Sequence, residues 1–219
     1  MLTLYGHPFS RAHRVMWMLK ELGLPFEHVP IDFRGGATRT PAYLAINPNG
    51  RVPALVDDGL VLFESLSINL YLARKFAGAL APRDLVEEAH ATQWSFWVAT
   101  EVEKPLLLAA ANLLLFPESG RDPAQATMAC GKLDRPFRVI DSHLATRPFL
   151  LGDRFTVADL NVAAVMTLVP IAGVPITFYP ALSRWLDICL QRPAAADWKP
   201  IAFTIPRPPT EAGVLAMFV

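Results

Sequence analysis

At 219 residues the chain has room for one large domain or two small ones, and either can bury a sizeable core. Lys+Arg and Asp+Glu both number 20, so net charge offers nothing to nucleic acid or to an acidic membrane surface. Hydrophobic residues reach 53% against 18% charged, which points to a deeply buried helical core or to surface given over to a subunit interface.

Leu2–Tyr5 has the pattern of a buried strand, broken by Gly6-His7-Pro8-Phe9. Ser10 opens a segment from Arg11 to Leu22 that is apolar nearly all round, the pattern of a well-buried helix, and Gly23 with Pro25 stops it. Phe26–Ile31 alternates as a second strand, which Pro30 confines to a sheet edge or a strand end. A polar loop over Arg34–Thr40 leads to one or two helical turns in Pro41–Ile46 and then to the turn Asn47-Pro48-Asn49-Gly50. Asp58-Gly59 between Ala54–Asp57 and Leu60–Leu62 signals a two-residue hairpin, because both central positions suit residues that tolerate positive φ. Glu64 and Ser65 sit where the chain enters a helical run through about Phe76. They either cap and charge that helix or form an anion site at its unpaired N–H groups. Strand, helix, strand, hairpin and helix predict one mixed sheet with a single crossover.

Strand signals fade around Ala77–Pro82, and a domain boundary is expected there, giving domains 1–78 and 84–219. Leu85–Phe116 reads as one long helix or two, kinked at Pro105, and Asp122–Thr146 as another that Pro136 threatens. Thr156-Val157-Ala158-Asp159 is a capping box built with Asp, flanked by Phe155 and Leu160 at the staple positions, so a helix is expected over Thr156–Val169. Tyr179–Gln191 is the next, closed before Pro193, and the apolar end of the Pro200–Val219 tail is expected to pack, over the interdomain cleft for instance. Cys130 and Cys189 lie far apart and outside any Cys-x-x-Cys, and the five histidines lack ligand spacing, so neither a disulfide framework nor a metal site is expected. No basic and apolar leader precedes Leu2, and the longest apolar tract, Leu106–Phe116, is too short to span a bilayer, so a cytoplasmic location is expected.

Four stretches in this order, Leu2–Tyr5 with Phe9-Ser10-Arg11-Ala12-His13-Arg14-Val15, Asn47–Leu55, Glu64-Ser65 with Ile68, and Gly152–Asp159, make the chain resemble the cytosolic glutathione transferase superfamily over essentially its whole length, in its bacterial, serine-type, theta-like form. The resemblance implies a thioredoxin-like α/β N-terminal domain that holds glutathione, followed by an all-α helical-bundle C-terminal domain that shapes the acceptor pocket. It implies a homodimer that conjugates glutathione, a cosubstrate with no further cofactor, to small hydrophobic electrophiles. A glutathione-dependent peroxidase or disulfide reductase and a non-catalytic binding protein are the alternatives. A cis peptide before Pro53 is implied, with Val52 offering its main chain to the tripeptide, Glu64 meeting the γ-glutamyl amino group and Ser65 the γ-glutamyl carboxylate. Arg51 is either a partner for the glycine carboxylate or an ordinary loop charge.

A thiol of pKa about 8.5 is only a few per cent ionised near neutrality, and each unit of depression needs about 1.4 kcal/mol of preference for the anion. Ser10 resembles the serine that supplies this preference in theta-like classes, although an N-cap role suits the same position. Tyr5 is the runner-up, and His7 stands nearby. The absence of cysteine at or beside position 10 and of a Ser-Ser-Cys run argues against mixed-disulfide and zeta-like classes. The acceptor pocket would draw on Pro8, Phe9, Trp94 and Trp97, although aromatics at the spacing of the last two are more often core or dimer contacts than pocket walls.

Overall fold

The computed structural model describes residues 1–33 and 35–195, and the expected packing of the tail beyond Pro200 lies outside them. Four strands form one sheet in the order β2-β1-β3-β4: β1 (Leu2–Tyr5), β2 (Glu27–Val29), β3 (Ala54–Asp57) and β4 (Leu60–Phe63). β1 pairs parallel with β2 and antiparallel with β3, and β3 pairs antiparallel with β4. The parallel pair requires a crossover, which α1 (Ala12–Glu21) supplies. Gly23 closes α1 in a left-handed conformation at φ 64°, with Gly23 N–H on the Lys20 carbonyl and Leu24 N–H on that of Leu19. β2 lies at the sheet edge and ends just before Pro30, and the β3–β4 turn has positive φ at Asp58 (48°) and Gly59 (93°). A short α2 (Pro41–Leu44) and then α3 (Ser65–Phe76) complete this N-terminal α/β domain.

A helical C-terminal domain follows. The one long helix or two expected over Leu85–Phe116, kinked at Pro105, runs as a continuous helical stretch that opens into two wider π turns. α4 (Leu85–Trp97) passes through a π-helical turn, Val98–Val102, into α5 (Glu103–Ala110), and a second π turn covers Ala111–Leu115. Pro105 has no N–H for the Glu101 carbonyl and its ring crowds that group, so the preceding turn widens. In the second turn, the Asn112 side chain donates to the Leu108 carbonyl at 3.0 Å and enters the helical ladder. α6 (Pro123–Leu144) continues unbroken past Pro136: burying Leu133, Phe137, Ile140 and Leu144 offsets the roughly 3 kcal/mol that an internal proline costs.

The capping box opens α7 (Val157–Met166), with Thr156 N–H on Asp159 Oδ2 at 2.9 Å and Ala158 N–H on Thr156 Oγ1 at 3.3 Å. All ten residues of α7 are buried, as suits a helix at the centre of a domain. α7 ends earlier than expected because Pro170 cannot donate to the Met166 carbonyl, and α8 (Leu168–Ala172) restarts the chain before α9 (Pro180–Leu190). One hydrophobic cluster runs from Leu4 and Met18 in the first domain through Leu72 to Val162 and Trp185 in the second. Polar ties cross the same boundary. Asn69 Nδ2 donates to Asn161 Oδ1 at 2.9 Å, Asn161 Nδ2 donates to the Leu66 carbonyl at 3.2 Å, and Arg192 makes a two-pronged ion pair with Glu21 at 2.7 and 2.8 Å.

Candidate active site

The loop after β1 begins at Gly6, whose φ of 154° and whose neighbours both demand glycine: an added Cβ would stand 2.6 Å from the Ala12 Cβ. That close approach brings the start of α1 against the Val52-Pro53 turn, since the Val52 Cβ would lie 3.6 Å from the same atom. Val52-Pro53 is cis. Its approach is shaped by Asn47, buried at 2% exposure, which donates to the Arg51 carbonyl at 2.7 Å and accepts from Asn49 N–H at 3.1 Å. The Tyr43 hydroxyl donates to the same carbonyl at 2.7 Å, and burial pushes its pKa up to about 12. Arg51 is thus held by its main chain while its side chain stays exposed.

Glu64 precedes α3 with φ 70° and ψ 105°, a conformation that costs a non-glycine residue about 1–3 kcal/mol and persists where surroundings enforce it. Ser65 begins the helix and is 4% exposed. The Glu64 carbonyl accepts the first helical bond, from Ile68 N–H at 2.9 Å, so the N–H groups of Ser65, Leu66 and Ser67 have no carbonyl one turn back. Those three residues face a cavity of about 480 Å3, within the range of small-ligand sites. Its walls bring together Arg51, Val52, Pro53, Glu64 and Ser65, the five positions expected to hold glutathione. Leu66, Leu70, Phe96 and Ala99 add apolar surface, and Arg11, Arg14, Asn47 and Glu103 add polar groups.

The ion cluster in this cavity went unnoticed in the sequence. Glu103 Oε1 accepts from Arg11 Nε at 2.7 Å and from Arg14 Nη2 at 2.8 Å. Burial alone would raise the Glu103 pKa, but the two guanidiniums outweigh it and hold the carboxyl at about 2. Burial draws Arg14 below its usual range while Glu103 pulls the other way; an arginine remains a cation throughout. The pairing residues lie 92 and 89 positions apart, so no local pattern announces them.

The remaining candidates are not among the residues that line this cavity. Ser10 is 8% exposed; its hydroxyl donates to the His7 carbonyl at 2.6 Å and accepts from Ala12 N–H at 3.1 Å. It therefore caps α1 from one residue further out than the N-cap position, which Arg11 occupies. Tyr5 is half-buried within the β1 ladder, opposite Ala54 and Val29. Pro8 and Phe9 are half-buried, with the Phe9 ring tilted against His7 at 5.0 Å. Trp94 and Trp97 were expected in the acceptor pocket, but neither lines the cavity. Trp94 is 6% exposed and meets Trp97 and His143 edge-on at 5.0 and 4.8 Å, because its side of α4 faces α6. Phe96 and Ala99, on the adjoining side of the same helix, form the wall instead. Among the described residues no group of His, Cys, Asp and Glu could hold a metal ion.

This geometry agrees with comparisons to known proteins. Residues 1–74 match the family profile of the glutathione S-transferase N-terminal domain, and residues 104–193 that of the C-terminal domain. Glutathione S-transferase 3 of Zea mays is 36% identical over 95% of this chain and 96% of its own. Glutathione S-transferase GstB of Escherichia coli strain K12 is 32% identical over 89% and 95%. A theta class glutathione S-transferase of Xanthomonas axonopodis pv. citri, solved with glutathione bound, superposes with a TM-score of 0.83 at 29% identity, covering 90% of this chain and 95% of that one.

Proposed function

The chain belongs to the glutathione S-transferase family, and from that premise we propose that it joins the glutathione thiolate to small hydrophobic electrophiles. The observation that carries this reading is the convergence on one cavity of Val52-Pro53 with the N-terminus of α3 and an apolar wall of Leu66, Leu70, Phe96 and Ala99. The open N–H groups at Ser65 suit the γ-glutamyl carboxylate, Glu64 its amino group, and Arg51 the glycine carboxylate at the far end. The apolar wall receives the electrophile and selects it by hydrophobicity.

Ser10 is the proposed donor to the sulfur. Its hydroxyl rests on the His7 carbonyl, and a thiolate is a charged and stronger acceptor, so rotation about one bond transfers the hydrogen bond. Acceptance from Ala12 N–H uses an oxygen lone pair and continues unchanged. The thiolate sulfur then bonds to the electrophilic carbon while the leaving group departs with its electron pair.

A homodimer completes the reading. Leu60, Val61 and Phe63 are exposed on the edge strand β4 and Phe96 is 67% exposed, a surface suited to a second copy. The domain boundary is proposed between residues 78 and 84, in the segment that joins α3 to α4. Among the described residues no helix is long and apolar enough to cross a membrane and both cysteines are free, which supports a cytoplasmic location.

The test combines calorimetric titration with glutathione and turnover assays using an aryl halide, cumene hydroperoxide and a mixed disulfide. Conjugation of the halide exceeding the other two activities is the expected result. Ser10→Ala should retain glutathione affinity and lose most turnover; unchanged turnover removes Ser10 as the activator.

A further inference from the structure

One carboxylate of the helical domain reaches into the cavity of the first domain. Glu103 begins α5 directly after the π turn, and its Oε1 is shared by Arg11 and Arg14 of α1. Arg14 is 4% exposed, and its Nη1 lies 3.5 Å from Ser65 Oγ, at the weak limit of a hydrogen bond. Its Nε has no hydrogen-bond partner, so Glu103 and Ser65 are the side chains that fix the head group. A buried guanidinium cannot shed its proton and needs a counter-ion, and this one comes from the other domain.

We infer that Glu103 is a positioning residue: acting through Arg14, it holds a cation behind Ser65, so that docking of the helical domain completes the seat for the ligand's carboxylate. The inference rests on the reading of this cavity as the glutathione site. Two cations sharing one oxygen repel each other once the negative charge is gone. In Glu103→Gln the Arg14 head group therefore moves from Ser65, and the seat loses its nearest buried charge. The helix N-terminus at Ser65–Ser67 remains, so binding weakens without being abolished.

The experiment measures Kd by calorimetry for two ligands. One is glutathione; the other is 4-aminobutyryl-cysteinyl-glycine, which is glutathione without the γ-glutamyl carboxylate. Glu103→Gln should weaken glutathione about tenfold, in line with loss of a charge-assisted contact, and change the analogue less than twofold. In an Arg14→Gln background the same substitution should no longer discriminate between the ligands. Glu103→Asp keeps the charge one methylene back, and a discrimination of about two- to threefold is expected, so it carries the test where the glutamine variant does not fold. Equal weakening of both ligands, or no weakening in a folded variant, overturns the inference. A wild-type protein that binds neither ligand overturns the glutathione reading instead.

Discussion

His13 predicts an acid-sensitive junction between the two domains. The ring lies between α1 and α7, with Nδ1 2.8 Å from the Ser10 carbonyl and Nε2 3.2 Å from the Ala164 carbonyl. A neutral imidazole has one N–H and can donate to one of these oxygens, and a charged ring could serve both. Burial opposes the charge most strongly, Arg14 opposes it further, and the two carbonyls and Glu103 only partly compensate, leaving a pKa of about 4 against the ordinary 6.5. Between these values the unfolded chain binds a proton that the folded chain refuses, so stability falls with pH across that interval. The contribution is complete above pH 6.5 and lost as pH falls through 4. The full difference corresponds to about 3.4 kcal/mol, and because the ring keeps some contact with solvent, about 2–3 kcal/mol is expected. Urea unfolding of wild type and His13→Gln at fixed protein concentration, in steps from pH 7 to pH 4, measures it. The wild type should lose about 2–3 kcal/mol more than the variant over this range. Parallel stability curves, or an NMR titration that places His13 near 6.5, would refute the reasoning.

Three further predictions concern the scaffold of the site. Asn161→Ala removes the acceptor of Asn69 Nδ2 and the donor to Ser95 and the Leu66 carbonyl; a loss of about 2–3 kcal/mol in thermal unfolding is expected, and a change below about 0.5 would show the tie to be idle. Asp159→Ala strips partners from Leu150 N–H, Thr156 N–H, Thr156 Oγ1 and Trp185 Nε1 at once, so more than about 4 kcal/mol should disappear in urea unfolding. Gly6→Ala sets a Cβ 2.6 Å from that of Ala12 at a φ of 154°, and a cost of about 2–4 kcal/mol should appear with weaker glutathione binding, because α1 and the Val52-Pro53 turn are pushed apart.

Features carried by adjacent residues were legible in the chain itself. Asp58-Gly59 specifies the hairpin because few residue pairs accept positive φ twice, and Thr156 with Asp159 specifies the start of α7 because their side chains satisfy each other's backbone groups. Glu64-Ser65 marks the start of α3 where an apolar helical run begins, and the ordering of these stretches with Val52-Pro53 pointed to the family and to one wall of the cavity. Proline positions were seen, but their outcomes were decided by packing. Pro136 leaves α6 intact because the surrounding core is large, while Pro105 follows a widened turn that continues into Glu103.

What only the tertiary structure decided was which distant side chains share a space and which way each one points. Helical periodicity places Trp94, Phe96 and Trp97 on α4 but does not say which side meets α6 and which meets the α/β domain, so the tryptophans went to the core and Phe96 to the cavity wall. A hydroxyl can rotate, and the nearest carbonyl, that of His7, set the direction in which Ser10 donates. The attraction between Glu103 and Arg14 acts across space and leaves no periodic trace along the chain. The sequence therefore determined the elements, their order and the cosubstrate they imply. Folding determined the ion cluster behind Ser65, because it exists only where two domains bring opposite charges within 2.8 Å of each other.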